Sequence, residues 1–221
     1  MKSGGKEIND YFGKYCKDPS IFNPEDFPWT KNFINELPTI QKEFFAYQKL
    51  HSIPEYQSIN PISSGKTKGW HSLFLRIFGH DTANLKHFPK TKELINQCPC
   101  TTAYFSLLKP GTKIKPHVGI YKGVIRYHLS IKIPKDWKNC WIKVDGKRLH
   151  WRENSHLMFD DMFEHSVENN TNQERVVLFL DIKRDFKNTW LNLVNHVMLK
   201  FIKSNDMVKD NLKTIDAFSQ F

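Results

Sequence analysis

Two histidines and an arginine carry most of the chemistry this sequence can do. His117 lies in Lys115-Pro116-His117-Val118-Gly119, and His165 closes Phe159-Asp160-Asp161-Met162-Phe163-Glu164-His165. They stand 48 residues apart, and Arg175 follows the second by ten. Neutral imidazoles bind borderline divalent metals such as Fe(II), Zn or Cu. A guanidinium one strand further on, turned to the same interior, grips a carboxylate bidentately. Taken singly, each histidine reads as an ordinary surface or core residue. The pair with Arg175 reads as a mononuclear metal site that takes a dicarboxylate. Iron oxygenases of this kind place a carboxylate two residues after the first histidine, and here Gly119 stands there. The third position then falls to water, to a halide, or to a carboxylate from elsewhere, Asp160 or Asp161. Those two aspartates read first as a turn, with side chains bonded to backbone amides.

The elements that must position these residues are short strands. Strand patterns run over 69–78, 103–108, 124–133, 141–144, 148–151, 156–159 and 175–181. Asp145-Gly146 between two of them is a hairpin signal. Seven or eight strands with turn chemistry between them point to a sandwich or barrel. Helical spacing appears over 29–50, where Pro38 is expected to split the pattern in two. It appears again over 91–97 and 190–202. Residues 51–68, rich in Pro, Ser, Gly and Lys, read as a loop and candidate lid. Residues 1–20 and 204–221 read as polar tails around a single domain at 21–203.

Composition bounds the function. At 221 residues with 17 Phe, the chain supports one domain with an aromatic, β-rich core. A net charge of +10 suits an acidic partner, but no Lys/Arg block is dense enough for a nucleic-acid arm. No apolar run approaches the ~20 residues of a membrane span. Cys16, Cys98, Cys100 and Cys140 are expected to be free thiols in a reducing, cytoplasmic setting.

Four stretches, Lys-Pro-His-Val-Gly at 115–119, Arg-Tyr-His-Leu at 126–129, Phe-Asp-Asp-Met-Phe-Glu-His at 159–165, and Arg175, fall in the order and spacing of a known family. The sequence from about 69 to 185 resembles the aspartyl/asparaginyl β-hydroxylases, Fe(II)- and 2-oxoglutarate-dependent dioxygenases on a double-stranded β-helix. The resemblance implies a mainly β, cupin-like jelly roll with flanking helices. It makes Gly119 normal, with water in place of the triad carboxylate. It implies that His117 and His165 hold iron, and that Ser106 and Arg175 hold 2-oxoglutarate. Arg126 and His128 are implied near the co-substrate and a substrate carboxylate, and Trp70 in the pocket wall. It further implies that O2 and 2-oxoglutarate are consumed in hydroxylating an aspartyl, asparaginyl or related carboxylate-bearing substrate, in a peptide or as a small molecule. A lipid A-type acyl chain, a halogenase using the open metal position, and a catalytically silent jelly-roll binding module are the alternatives.

Overall fold

Strict alternation along the strands gives each one two different faces, and the fold follows from covering both. The computed structural model describes residues 4–59 and 67–218. In chain order the helices and strands are α1 (Gly4–Tyr15), β1 (Ile21–Phe22), α2 (Thr30–Asn35), α3 (Leu37–Leu50), α4 (Tyr56–Ile59), β2 (Trp70–Ile77), β3 (His80–Asp81) and α5 (Pro89–Asn96). The barrel strands follow: β4 (Cys100–Leu108), β5 (Lys113–His117), β6 (Val124–Lys132), β7 (Cys140–Val144), β8 (Lys147–His150), β9 (His156–Phe159), β10 (His165–Asn169) and β11 (Arg175–Lys183). Helices α6 (Thr189–Ser204) and α7 (Asp206–Phe218) close the chain.

Seven strands form one sheet in the order β1-β9-β6-β11-β4-β2-β3, and four form a second in the order β5-β10-β7-β8. The barrel strands β4 to β11 are dealt to the two sheets in turn, apart from the β7–β8 hairpin, and every pairing is antiparallel. That topology is a double-stranded β-helix. The hairpin turns on Asp145 and Gly146, both at positive φ (50° and 76°), as a two-residue turn of the hand that matches strand twist requires.

On the large sheet, Leu73, Leu75, Ala103, Phe105, Leu107, Ile125, Tyr127, Leu129, Val176, Leu178 and Leu180 face the helices. They pack there on Phe33, Leu37, Ile40 and Phe44 of α2 and α3. The alternate residues of the same strands face the small sheet, where Leu108, Phe159 and Val177 meet Ile142, Val144, Trp151 and Val167. Where the small sheet does not reach, Phe74, Tyr104 and Phe179 are covered by Ile59 of α4 and Ile215 of α7. Pro38 begins α3 rather than kinking a longer helix, in keeping with the split expected there.

Two expectations are corrected. Residues 1–20 and 204–221 were read as tails because their composition is polar, yet α1 and α7 are amphipathic helices that each commit one side to the domain. Phe12 of α1 is fully buried and stacks on Phe186 at 4.8 Å, and Ile215 of α7 is buried beside Phe74. The strand patterns also omit β5 and β10, which are full partners in the small sheet, with His117 ending the one and His165 opening the other. Part of the loop at 51–68 forms α4 and an isolated bridge from Glu55 to His71; residues 60–66 lie outside the described residues. All four cysteines are free thiols.

If α1 is an integral wall, Phe12→Ala should destabilise the fold by about 3–5 kcal/mol, the cost of emptying a buried phenylalanine site. Urea denaturation reads this directly; an unchanged midpoint would mean that α1 does not dock.

Candidate active site

Strands β5 and β10 run side by side with His117 directly opposite His165. The ring centroids are 4.1 Å apart. Each imidazole uses Nδ1 on a carbonyl two residues earlier: His117 on Lys115 O at 2.8 Å, His165 on Phe163 O at 2.9 Å. A carbonyl only accepts, so both Nδ1 atoms carry the proton and both Nε2 atoms keep a lone pair. This is how metal-binding imidazoles are held in tautomer and orientation. Burial pushes both rings toward the neutral form, and the nearby charge of Arg126 adds to the effect. His165 falls to about 3. The donor set fits a borderline divalent metal. Among the described residues no cluster of three or more His, Cys, Asp or Glu is placed to hold one, and His117 and His165 are the pair whose Nε2 lone pairs could take it.

Gly119 lies where a third ligand would stem from the chain, and the reason it is glycine is steric. A Cβ there would collide with the carboxylate of Asp161. The Gly119 amide donates to the Asp161 carbonyl at 2.6 Å. Asp161 Oδ2 pairs with Arg126 Nη2 at 2.9 Å, while its Oδ1 is buried with no partner. Burial raises the Asp161 carboxyl to about 6, against the lowering effect of Arg126. Asp160, its neighbour, is structural. It is fully buried, takes Lys122 and Arg184 at 2.7 Å each, and accepts from the Met162 amide at 3.0 Å.

Arg126, expected to meet a substrate carboxylate, is already held by two of the protein's own. Its Nε reaches Asp181 Oδ1 at 3.1 Å, and the guanidinium lies 4.3 Å over the Phe179 ring. Arg126 and Asp181 are cross-strand partners in the β6–β11 register.

Arg175 is the opposite case. It is 2% exposed and has no acidic partner among the described residues. Nη1 donates to Ser106 O at 3.0 Å, the guanidinium lies 4.5 Å over Trp151, and Nε has no partner. Burial lowers it to about 10. Trp70 Nε1 donates to Ser106 Oγ at 3.1 Å, which leaves the serine proton free for another acceptor. His128 is buried with both ring nitrogens unpartnered, packed among Trp151, Phe159 and Phe179. Burial and the two arginines hold it well below the usual imidazole range. Trp70, Ser106, His128 and Arg175 thus share one face of the large sheet, and Phe159 links His128 to His165 at ring distances of 5.2 and 5.7 Å.

Three contributors escaped the sequence reading: Trp151 under Arg175, Asp181 beside Arg126, and Asp161 as that arginine's second partner. Asp181 had a signal, since it falls on the same strand parity as Arg175. Trp151 lies just past β8, where alternation stops being informative.

The Asp161 shift has a sign that can be tested. Its folded value of about 6 lies above the ordinary 3.8, so the folded state holds the extra proton and stability falls as pH rises from about 4 to 6. His165, lowered from 6.5 to about 3, acts in the other direction and adds stability as pH rises through that range. Asp161→Asn should remove only the first contribution. The stability difference, variant minus wild type, should climb between pH 4 and 6 and level off above; a flat difference in urea titrations would contradict this.

Comparisons with known proteins identify the family. The family model described as aspartyl/asparaginyl beta-hydroxylase matches residues 35–185. An ornithine lipid ester-linked acyl 2-hydroxylase from Rhizobium tropici is 32% identical over 90% of this chain and 73% of its own. The human aspartyl/asparaginyl beta-hydroxylase is 34% identical over 44% of this chain, which spans only 13% of that protein. Aspartate beta-hydroxylase domain-containing protein 2 of Xenopus tropicalis is 30% identical over 77% of this chain and 53% of its own. With the family model covering more than half the chain, the chain belongs to the aspartyl/asparaginyl β-hydroxylase family of hydroxylases.

Proposed function

We propose that this chain is a hydroxylase that uses Fe(II), 2-oxoglutarate and O2. One observation carries the reading: the barrel interior holds a surplus of buried hydrogen-bond donors. Arg175 Nε and Trp151 Nε1 have no acceptor, and neither does whichever His128 nitrogen bears the proton. The Ser106 hydroxyl proton is free as well. A buried guanidinium with no counterion is costly unless an anion completes it. A dicarboxylate with one end on Arg175 and Ser106 and the other toward the two Nε2 atoms would give the guanidinium its counterion and the serine proton an acceptor. Bound iron with 2-oxoglutarate and O2 would supply the oxidising power for hydroxylation. The residues of the chain bind, orient and exclude water. His117 and His165 would hold the metal, neutral without any change of protonation. Trp70 fixes the Ser106 rotamer. Arg126 holds Asp161 against Gly119, so its role is positioning.

Of the substrates considered, an acyl chain is favoured over an aspartyl or asparaginyl side chain. Arg126 is a cation whose charge reaches both histidines, and two carboxylates already neutralise it. Val118 and Ile120, which follow His117 on the rim, are exposed and apolar. A relative that matches along 90% of this chain and 73% of its own is named for acyl hydroxylation.

Anaerobic titration with Fe(II) and then 2-oxoglutarate tests the reading. Arg175→Met should retain Fe(II) binding and weaken 2-oxoglutarate by about 100-fold, as expected for one partner of a buried charge pair. His165→Ala should abolish Fe(II) binding. Unchanged 2-oxoglutarate affinity in Arg175→Met, or no Fe(II) binding by the wild type, would overturn it in favour of a silent binding module.

A further inference from the structure

The apolar arc of α6 is wider than the surface it packs on. Leu191, Val194, Met198, Leu199 and Ile202 pack against Phe12, Tyr121, Val124 and Phe186. Trp190, Leu193, Val197 and Phe201 recur at spacings of three and four, so they form one stripe, and each is 53% to 63% exposed. Single exposed apolar residues are ordinary, but a contiguous row of four marks a contact surface.

The stripe leads to the candidate active site. Trp190 Nε1 donates to the Tyr11 hydroxyl of α1 at 3.2 Å, and Tyr11 and Tyr15, both exposed, have their rings 5.3 Å apart. The same helix grips the rim: Asn9 Nδ2 donates to Ile120 O, and Asn9 Oδ1 accepts from the Lys122 amide, both at 2.9 Å. Ile120 is 81% exposed and Val118 is 55% exposed, within three residues of His117. An aromatic and aliphatic surface therefore runs from α6 across α1 to the mouth of the barrel.

Its charge is mostly positive where it is most apolar. The exception beside the helix is Asp185, which accepts from Asn192 Nδ2 of α6 at 2.8 Å. Helix α6 has no acidic residue and carries Lys200 and Lys203; Lys187 precedes it, and Lys115 flanks His117. Helix α1 is balanced, with Lys6 and Lys14 against Glu7 and Asp10. The whole chain stands at +10. Tryptophan and tyrosine at a polar boundary, aliphatic residues beside them and lysines at the margin are the chemistry of a helix lying in a lipid headgroup layer.

We propose that this face docks on an anionic lipid bilayer, seating α6 in the headgroup boundary and setting the rim at Val118 and Ile120 against the lipid. Docking itself does not depend on the reaction. That it delivers an acyl chain to His117 and His165 rests on the hydroxylase reading above.

Vesicle flotation tests it, using phosphatidylcholine vesicles with and without roughly one-third phosphatidylglycerol. The full chain should float with the anionic vesicles, less so at high salt, and remain mostly free of the neutral ones. Combining Val197→Glu with Phe201→Glu should lower partitioning at least about tenfold, with an unchanged urea midpoint because both side chains are exposed. Wild type that stays with the solvent in both cases, or a double variant that floats equally well, overturns the proposal. So does a concentration-dependent dimer, seen by sedimentation in the absence of vesicle binding and lost in the double variant, which would assign the stripe to a second copy of the chain. Loss of Fe(II) and 2-oxoglutarate binding with vesicle binding intact would overturn the hydroxylase reading and leave docking standing.

Discussion

The large sheet has to serve two environments with a side-chain period of two, and the rest of the structure depends on how it does so. One parity of β2, β4, β6 and β11 is a continuous oily layer under α2 and α3. The other parity carries Trp70, Ser106, Arg126, His128, Arg175 and Asp181 into the space beneath the small sheet. A one-residue slip in any pairing would exchange these faces, placing Arg126 or Arg175 in the helix-backed core. The same alternation that makes the fold stable therefore delivers the polar residues to one place. The helix-backed layer, with Phe44, Phe105 and Tyr127 buried, supplies the apolar burial that lets the opposite face keep unsatisfied donors.

The two interior arginines divide the electrostatics. Arg126 is a closed unit, neutralised by Asp161 and Asp181 and stacked on Phe179. It holds Asp161 in the space that the missing Cβ of Gly119 leaves. Arg175 is an open unit with a carbonyl and an aromatic face but no carboxylate. Burying an unpaired cation is unfavourable, and a protein tolerates it where something else supplies the anion. The two guanidiniums differ in that the protein's own carboxylates satisfy one and leave the other without a counterion.

Around this centre the terminal helices play parts that composition hid. Helix α1 anchors through Phe12, ties down the loop after His117 and touches α6 through Tyr11. Helix α7 covers the lumen-facing aromatics that the small sheet leaves open. Arg184, bonded to Asp18, Asp160 and the carbonyls of Lys122 and Val124, joins the segment after α1 to the turn that precedes His165. The periphery is therefore mechanically connected to both histidines.

The sequence by itself determined seven of the strands, the Asp145-Gly146 hairpin and the helix split at Pro38. These rest on local rules: turn chemistry, proline sterics and period-two alternation, with the motif order adding the family. Register and pairing are long-range, so only the tertiary structure decided that His117 faces His165 across one rung and that Arg126 faces Asp181. Only packing decided that Asp161 fills the space at Gly119, that Trp151 lies under Arg175, and that α1 and α7 are walls rather than tails. Polar composition describes the exposed side of an amphipathic helix well. The few residues on its other side, such as Phe12 and Ile215, gain their meaning from partners more than 100 residues away, Phe186 for the first and Phe74 for the second.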